Sequence, residues 1–242
     1  MIEAGASTVN IEKAKGKWIM TLGSDTIVQK DSIKELLSKA KTKNKILEKI
    51  SFSKTIFAPQ LVSKNGSVLL SCRKIPTFWN MTKYILYSFI IRHINPTNSF
   101  WGEYRMVDWD HNTERFVEQP EATCWMGQKA FFKSIGGLFD EDFPLYFNDV
   151  ETSIRVKKAG GRFLFCPDAE IIHLGGQSTK RWNDKRLWLF REGLLRLYSK
   201  HYINVWYDWI SYYIIDFVSW IWANVKNITK SQNSTYQIDK LK

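Results

Sequence analysis

The stretch FPLYFNDVETSIRVKKAGG, residues 143–161, sets two carboxylates, Asp149 and Glu151, at a helix start directly behind Tyr146 and Phe147. A helix start can hold a carboxylate rigidly, and its amide N–H groups favour the ionised form. The same residues also read as plain helix architecture. Asn148 and Glu151 have the spacing of an N-cap and its reciprocal partner, Val150, Ile154 and Ala159 fit one buried stripe, and Gly160 and Gly161 end the pattern. Two further candidates stand where strand-like runs end: Asp25 after WIMTL and His173 after AEII. Ligands of open α/β sheets bind outside the carboxyl ends of the strands, which makes both residues eligible for one crevice. A carboxylate oxygen and an imidazole nitrogen suit a divalent ion such as Mn2+ or Mg2+, which would offset the charge of a bound diphosphate. Taken singly, each reads more simply as a turn residue and a structural histidine.

The residues after His173 strengthen the case for that crevice. In HLGGQSTKR, Gly175 and Gly176 let the backbone approach a ligand closely, while Ser178, Thr179, Lys180 and Arg181 supply donors for phosphate oxygens, and the candidate diphosphate loop is Gly175, Gly176, Gln177, Ser178, Thr179 and Lys180. VDWDHN offers a competing set, Asp108, Asp110 and His111, with metal-ligand spacing. It lies in an irregular, aromatic-rich stretch away from any strand end, so a solvated loop is expected and the set ranks second as a metal site.

The elements that must hold these side chains alternate between strand and helix patterns. KWIMTL and TIFAPQLV read as strands, a helix begins at Asp31 or Ser32, and KNGS is a hairpin turn leading into VLLSC. Residues 77–115 read as loops and short helices. QKAFFKSIGG is a helix closed by glycines, RFLFCP and AEIIH are strand-like, and 187–201 reads as a long amphipathic helix. That alternation predicts an α/β sheet covered on both faces.

A chain of 242 residues supports one sizeable core with an appendage. Its three cysteines are too scattered for a disulfide framework or a zinc site, which favours a reducing, cytoplasmic setting. The first twenty residues lack an apolar core, so no signal peptide is expected. A net charge of +11 calls for an anionic partner. No nucleic-acid reading motif accompanies it, which leaves a nucleotide or a membrane surface and argues against nucleic acid.

The block TCWMGQKAFFKSIGGLFDEDFPLYFNDVETSIRVKKAGGRFLFCPDAEIIHLGGQSTK, with AKGKWIMTLGSDT upstream, resembles a family 2 glycosyltransferase of the GT-A fold, in its rhamnosyltransferase-like branch. The resemblance implies a mixed, Rossmann-like sheet flanked by helices. It also implies inverting transfer of a sugar from a nucleotide-sugar donor to a saccharide or lipid-linked acceptor, in cell-surface polysaccharide synthesis. The family's base falls on Asp149, its acidic metal motif on Asp25 and its metal-binding histidine on His173. Residues Gly175 to Lys180 would then contact the donor diphosphate. Trp125, Tyr146, Phe147, Asn148 and Glu151 would form the acceptor platform. Two departures stand out: Gly23 occupies the place of a second acid, and the family's opening nucleoside-binding strand and Asp-rich turn have no counterpart here. An N-terminally truncated domain is therefore expected, whose donor site a separate chain or a second copy would complete. The alternative is a non-catalytic or partner-dependent fragment that binds saccharide or membrane.

Three segments result: a partial GT-A domain over 1–182, a helical extension over 183–226 and a polar tail over 227–242 that frays. In VWYDWISYYIIDFVSWIWANVK, Asp216 near the centre speaks against a membrane span. With Asp208, Ser211, Asp216 and Ser219 on one polar side, an amphipathic helix lying on an anionic membrane is expected, peripheral at the inner face. A helix packed on protein is the competing reading.

Overall fold

The computed structural model describes residues 8–46, 52–90, 103–175 and 185–239. In chain order the elements are α1 (Thr8–Lys13), β1 (Trp18–Leu22), β2 (Thr26–Val28), α2 (Ser32–Ile46), β3 (Thr55–Val62), β4 (Cys72–Arg73), α3 (Phe78–Ile90), β5 (Arg115–Val117), β6 (Gln119–Pro120) and β7 (Cys124–Gln128). They continue with α4 (Lys129–Ser134), α5 (Asn148–Lys158), β8 (Arg162–His173), α6 (Arg186–His201) and α7 (Asp208–Asp239). The chain divides into two compact units, Met1–Pro76 with Thr97–Gln177 and Thr77–Pro96 with Ser178–Lys242.

The first unit is a mixed α/β domain, as expected. Its main sheet runs β1-β7-β3-β8-β2, with β5 also paired to β8, and the β3–β8 pair is parallel while the other pairs are antiparallel. All eight residues of β3 are buried, because the sheet is covered on both faces. Ile56, Ala58, Trp125, Phe163 and Phe165 face one core, and Phe57, Leu61, Met126, Leu164 and Cys166 face the other. This period-2 split explains why TIFAPQLV shows no polar alternation.

RFLFCP and AEIIH, which read as separate strands, are the two halves of β8. The register along β3 jumps from Pro59↔Cys166 to Gln60↔Glu170. Pro59 has no N–H to give the ladder, and the bulge absorbs that gap without ending the strand. The hairpin turn at KNGS is present: Ser63 N–H donates to Ser67 O at 2.8 Å, and Gly66 has φ 82°. The glycine closure of α4 is present too, at Gly136 and Gly137 with φ 84° and 107°.

The second unit is helical. Residues 78–90 form α3 where loops and short helices were expected. Its start is a reciprocal cap: Thr77 N–H donates to Asn80 Oδ1 at 2.7 Å, and Asn80 N–H to Thr77 Oγ1 at 3.3 Å. Both α3 and α6 pack on α7. The helix α7 continues through Asp239, where a fraying tail was expected; neither Gly nor Pro interrupts that stretch. The polar side foreseen for this helix faces inward. Arg191 of α6 pairs with Asp216, and Ser219 is buried. Asp208 binds the turn ahead of the helix, accepting from the N–H groups of Asn204 and Val205 at 2.7 and 3.0 Å. No described helix is long and apolar enough to cross a membrane.

Candidate functional site

Asp25 and His173 are brought together by the antiparallel pairing of β2 with β8. Thr26 lies opposite His173, and Leu174 N–H donates to the Asp25 carbonyl at 2.9 Å. The turn before Asp25 is closed by Thr26 Oγ1 donating to Gly23 O at 2.6 Å. A Cβ on residue 23 would lie 3.2 Å from Asp25 Oδ1, which leaves little room for the second acid the resemblance led us to expect. Asp25 Oδ2 stands 3.4 Å from His173 Nε2. The other ring nitrogen, Nδ1, stands 3.4 Å from Glu121 Oε1. The imidazole therefore lies between two carboxylates.

Glu121 carries no motif and was not among the sequence candidates. It is held by Thr123 Oγ1 donating to its Oε1 at 2.9 Å, by Ser71 O accepting its N–H at 2.8 Å, and by Arg73 at 3.9 Å. Arg73 and Gln119 escaped the sequence reading as well. The short ladder between β4 and β6 pairs Arg73 with Gln119 and delivers both, with Glu121, to the side where α5 begins. The local sequence offered one faint signal, a carboxylate just before the buried strand β7.

Asp149 stands at the start of α5, half-buried. Its Oδ2 accepts from Gln119 Nε2 at 2.8 Å and its Oδ1 from Val150 N–H at 2.8 Å. Loss of solvent pushes its carboxyl up to about 6 from 3.8; the charge of Glu121 adds to the rise, while Arg73 and the helix-start N–H groups oppose it. A carboxyl poised there accepts a proton at neutral pH far more readily than a solvated aspartate. Gln119 Oε1 is buried without a hydrogen-bond partner among the described residues.

The cap reading of Asn148 and Glu151 gives way to a different arrangement. The N-cap is Phe147, in the left-handed region at φ 65°, with no side-chain cap bond. A bulky residue held there is strained, a feature that clusters at functional sites. Glu151 has no exposed surface and accepts from Arg155 Nε at 2.7 Å. Arg155 in turn donates to the carbonyls of Ile135, Gly137 and Leu138. Glu151 thus anchors the loop after α4 and offers nothing to an acceptor. Trp125 is equally inaccessible, with ring centroids 4.8 Å from Phe163 and 5.9 Å from Phe139 inside the core. Phe147 is buried as well, which leaves Tyr146 and Asn148, both half-buried, as the accessible members of the expected platform.

Of the expected diphosphate loop, Gly175 has φ 64°, a conformation suited to glycine. Gly176, Gln177, Ser178, Thr179 and Lys180 lie outside the described residues. A hollow of about 540 Å3 lies beside His173, lined also by Ser63, Lys64, Asn65 and Leu174. The competing metal set does not assemble. His111 is buried and stacked on Trp109 at 4.1 Å, its Nδ1 lies 3.1 Å from Trp109 O, and Asp110 bonds Asn112. No cluster of three or more ligating side chains occurs among the described residues. Asp25 and His173 fit a divalent ion as two ligands of an incomplete set, with Glu121 on the far imidazole nitrogen in the way carboxylates orient metal-binding histidines. The three cysteines are buried and unbridged, and burial pushes the thiols of Cys72 and Cys124 up to about 12.

No protein-family model matches the chain. Over 123 residues, 51% of its length, it is 30% identical to the N-acetylglucosaminyl-diphospho-decaprenol L-rhamnosyltransferase of Mycobacterium tuberculosis strain CDC 1551 / Oshkosh, and equally to that of strain ATCC 25618 / H37Rv. Among solved structures, a crystal structure of GalNAc-T7 with UDP, GalNAc and Mn2+ superposes with a TM-score of 0.47 and 11% identity, over 81% of this chain and 34% of that one. The match to the two curated relatives spans 38% of their length.

Proposed function

We propose that the chain acts in glycosyl transfer, as a GT-A domain of family 2 that moves a sugar with inversion from a nucleotide-sugar donor to a hydroxyl of a saccharide or lipid-linked acceptor, in cell-surface polysaccharide assembly. The observation that carries this reading is Asp149. Its carboxyl is held at both oxygens by Gln119 and the Val150 N–H and lifted to about 6, in the same charge cluster as Glu121, which touches His173. The similarity to the named rhamnosyltransferases supports the same class of reaction.

In this reading the acceptor O–H gives its proton to Asp149 as its oxygen forms a bond to the anomeric carbon. The bond from that carbon to the diphosphate oxygen breaks, and its electron pair leaves with the nucleoside diphosphate. Gln119 keeps the carboxylate aimed and Glu121 keeps it basic. Asp25 and His173 would hold Mn2+ or Mg2+, which when bound supplies charge to neutralise the leaving diphosphate. Lys64 and Asn65 border the hollow beside His173 where that diphosphate would lie.

The test is calorimetric titration of the chain with a panel of nucleotide sugars in Mn2+, paired with a turnover assay. Asp149→Asn is expected to keep donor binding and lose about 10²- to 10⁴-fold in turnover. Turnover that survives this substitution would overturn the assignment. Absence of donor binding in the unaltered chain would favour the partner-dependent saccharide binder instead.

A further inference from the structure

The helical unit carries exposed aromatic and aliphatic residues as well as buried ones. Along α7, Ile215, Ser219, Trp222 and Ala223 are buried against its neighbours, and Asp216 is tied to Arg191. On the opposite side, Trp206, just before the helix, and Ile210, Tyr213, Phe217 and Trp220 recur at three- and four-residue spacing. Trp206 is 78% exposed, Phe217 63% and Tyr213 62%. No charged residue interrupts that stripe between Asp208 and Lys226 except Asp216, which is turned away from it. Trp79, at the start of α3 in the same unit, is 73% exposed.

Charge gathers in this unit too. Its sequence holds thirteen Lys and Arg against five Asp and Glu, so it carries +8 of the chain's +11. We infer that this face docks on an anionic membrane surface, with α7 lying in the plane of the headgroups. Trp and Tyr suit that depth, since each joins an apolar ring to one polar atom, and cationic flanks draw acidic lipid. A second copy would bring two strongly positive units together, which their charge opposes. Nucleic acid would require the basic groups to lie within the stripe, where the sequence has aromatics. The helix lies on the bilayer and does not cross it, in keeping with its hydropathy. The inference is independent of glycosyl transfer: the stripe contains none of the residues assigned to that chemistry.

The experiment is flotation of the full chain with phosphatidylcholine vesicles, with and without phosphatidylglycerol, at low and high salt. A Trp206→Ser, Tyr213→Ser, Phe217→Ser triple variant is run beside it. These side chains are solvent-facing, so circular dichroism and nucleotide-sugar calorimetry of the variant are expected to match the unaltered chain. The unaltered chain is expected to float with the phosphatidylglycerol vesicles, less so at high salt, and the triple variant to bind about tenfold less or weaker. Three results would overturn the inference: the unaltered chain remaining unbound, the variant binding equally well, or lipid-free sedimentation showing a dimer that the variant abolishes, which would assign the stripe to a second copy.

Discussion

Replacing Asp149 by Asn tests the charge environment of the site without any substrate. The carboxyl titrates at 3.8 when solvated and at about 6 in the fold, because burial and Glu121 disfavour its ionised form. A folded value above the unfolded one means that stability falls as pH rises between those two values. Above about pH 6 the ionised side chain costs the fold roughly 3 kcal/mol. Asn removes that cost at the price of one mismatch: its amide has a single acceptor, whereas Gln119 and the Val150 N–H each donate to one oxygen of Asp149. An unmatched donor there costs about 1–2 kcal/mol. The net gain at about pH 8 is then about 1–2 kcal/mol, which raises Tm by about 2–8 °C for a chain of this length. Near pH 4 the carboxyl is protonated in the fold, the gain disappears and the mismatch remains, so the variant should melt at or below the unaltered chain. Thermal melts across that range, followed by circular dichroism, read the difference directly. A Tm difference that is constant with pH, or of the opposite sign at high pH, would refute the account of a desolvated Asp149.

Substitutions at four other positions probe the framework. Arg73→Met removes the charge that opposes the rise at Asp149, so the acid limb of kcat/KM should move to higher pH; Glu121→Gln should move it lower. Equal displacement in one direction by both variants would show that the limb belongs to another group. Glu151→Ala deprives half-buried Arg155 of its carboxylate and should cost about 1.5–3 kcal/mol in chemical denaturation, while the conservative Glu151→Gln should cost less. Gly161→Ala would bring a Cβ to 2.4 Å from the Phe131 ring and 2.8 Å from Lys54 O, and should destabilise by about 1–3 kcal/mol in the same assay.

Local pattern was enough to read much of this protein. The run TIFAPQLV, the turn at Gly66 and the glycines behind α4 each encode their conformation within a few residues, through burial on both faces or a required positive φ. Asp25 and His173 drew notice because each follows a strand-like run, but their meeting rests on the antiparallel pairing of β2, which begins just after Asp25, with β8, which ends at His173. Chain-local reasoning failed where the partner is distant. Glu151 looked like a capping residue because its link to the loop after α4 runs through Arg155, whose contacts lie 17 to 20 residues back. Trp125 looked like a sugar platform because an aromatic's position in a strand does not reveal which layer covers it. Asp216 looked like part of a wet face, yet its Arg191 partner is 25 residues away on α6.

The sequence by itself determined the residue types at the ends of its strands and helices, because backbone geometry and periodic burial are settled over short stretches of chain. Tertiary structure alone decided that Arg73, Gln119 and Glu121 meet Asp149 and His173, and that α7 turns its aromatics outward. Both outcomes rest on pairing between segments tens of residues apart, and it is the loss of solvent at those meetings, absent from any single segment, that sets the basicity of Asp149.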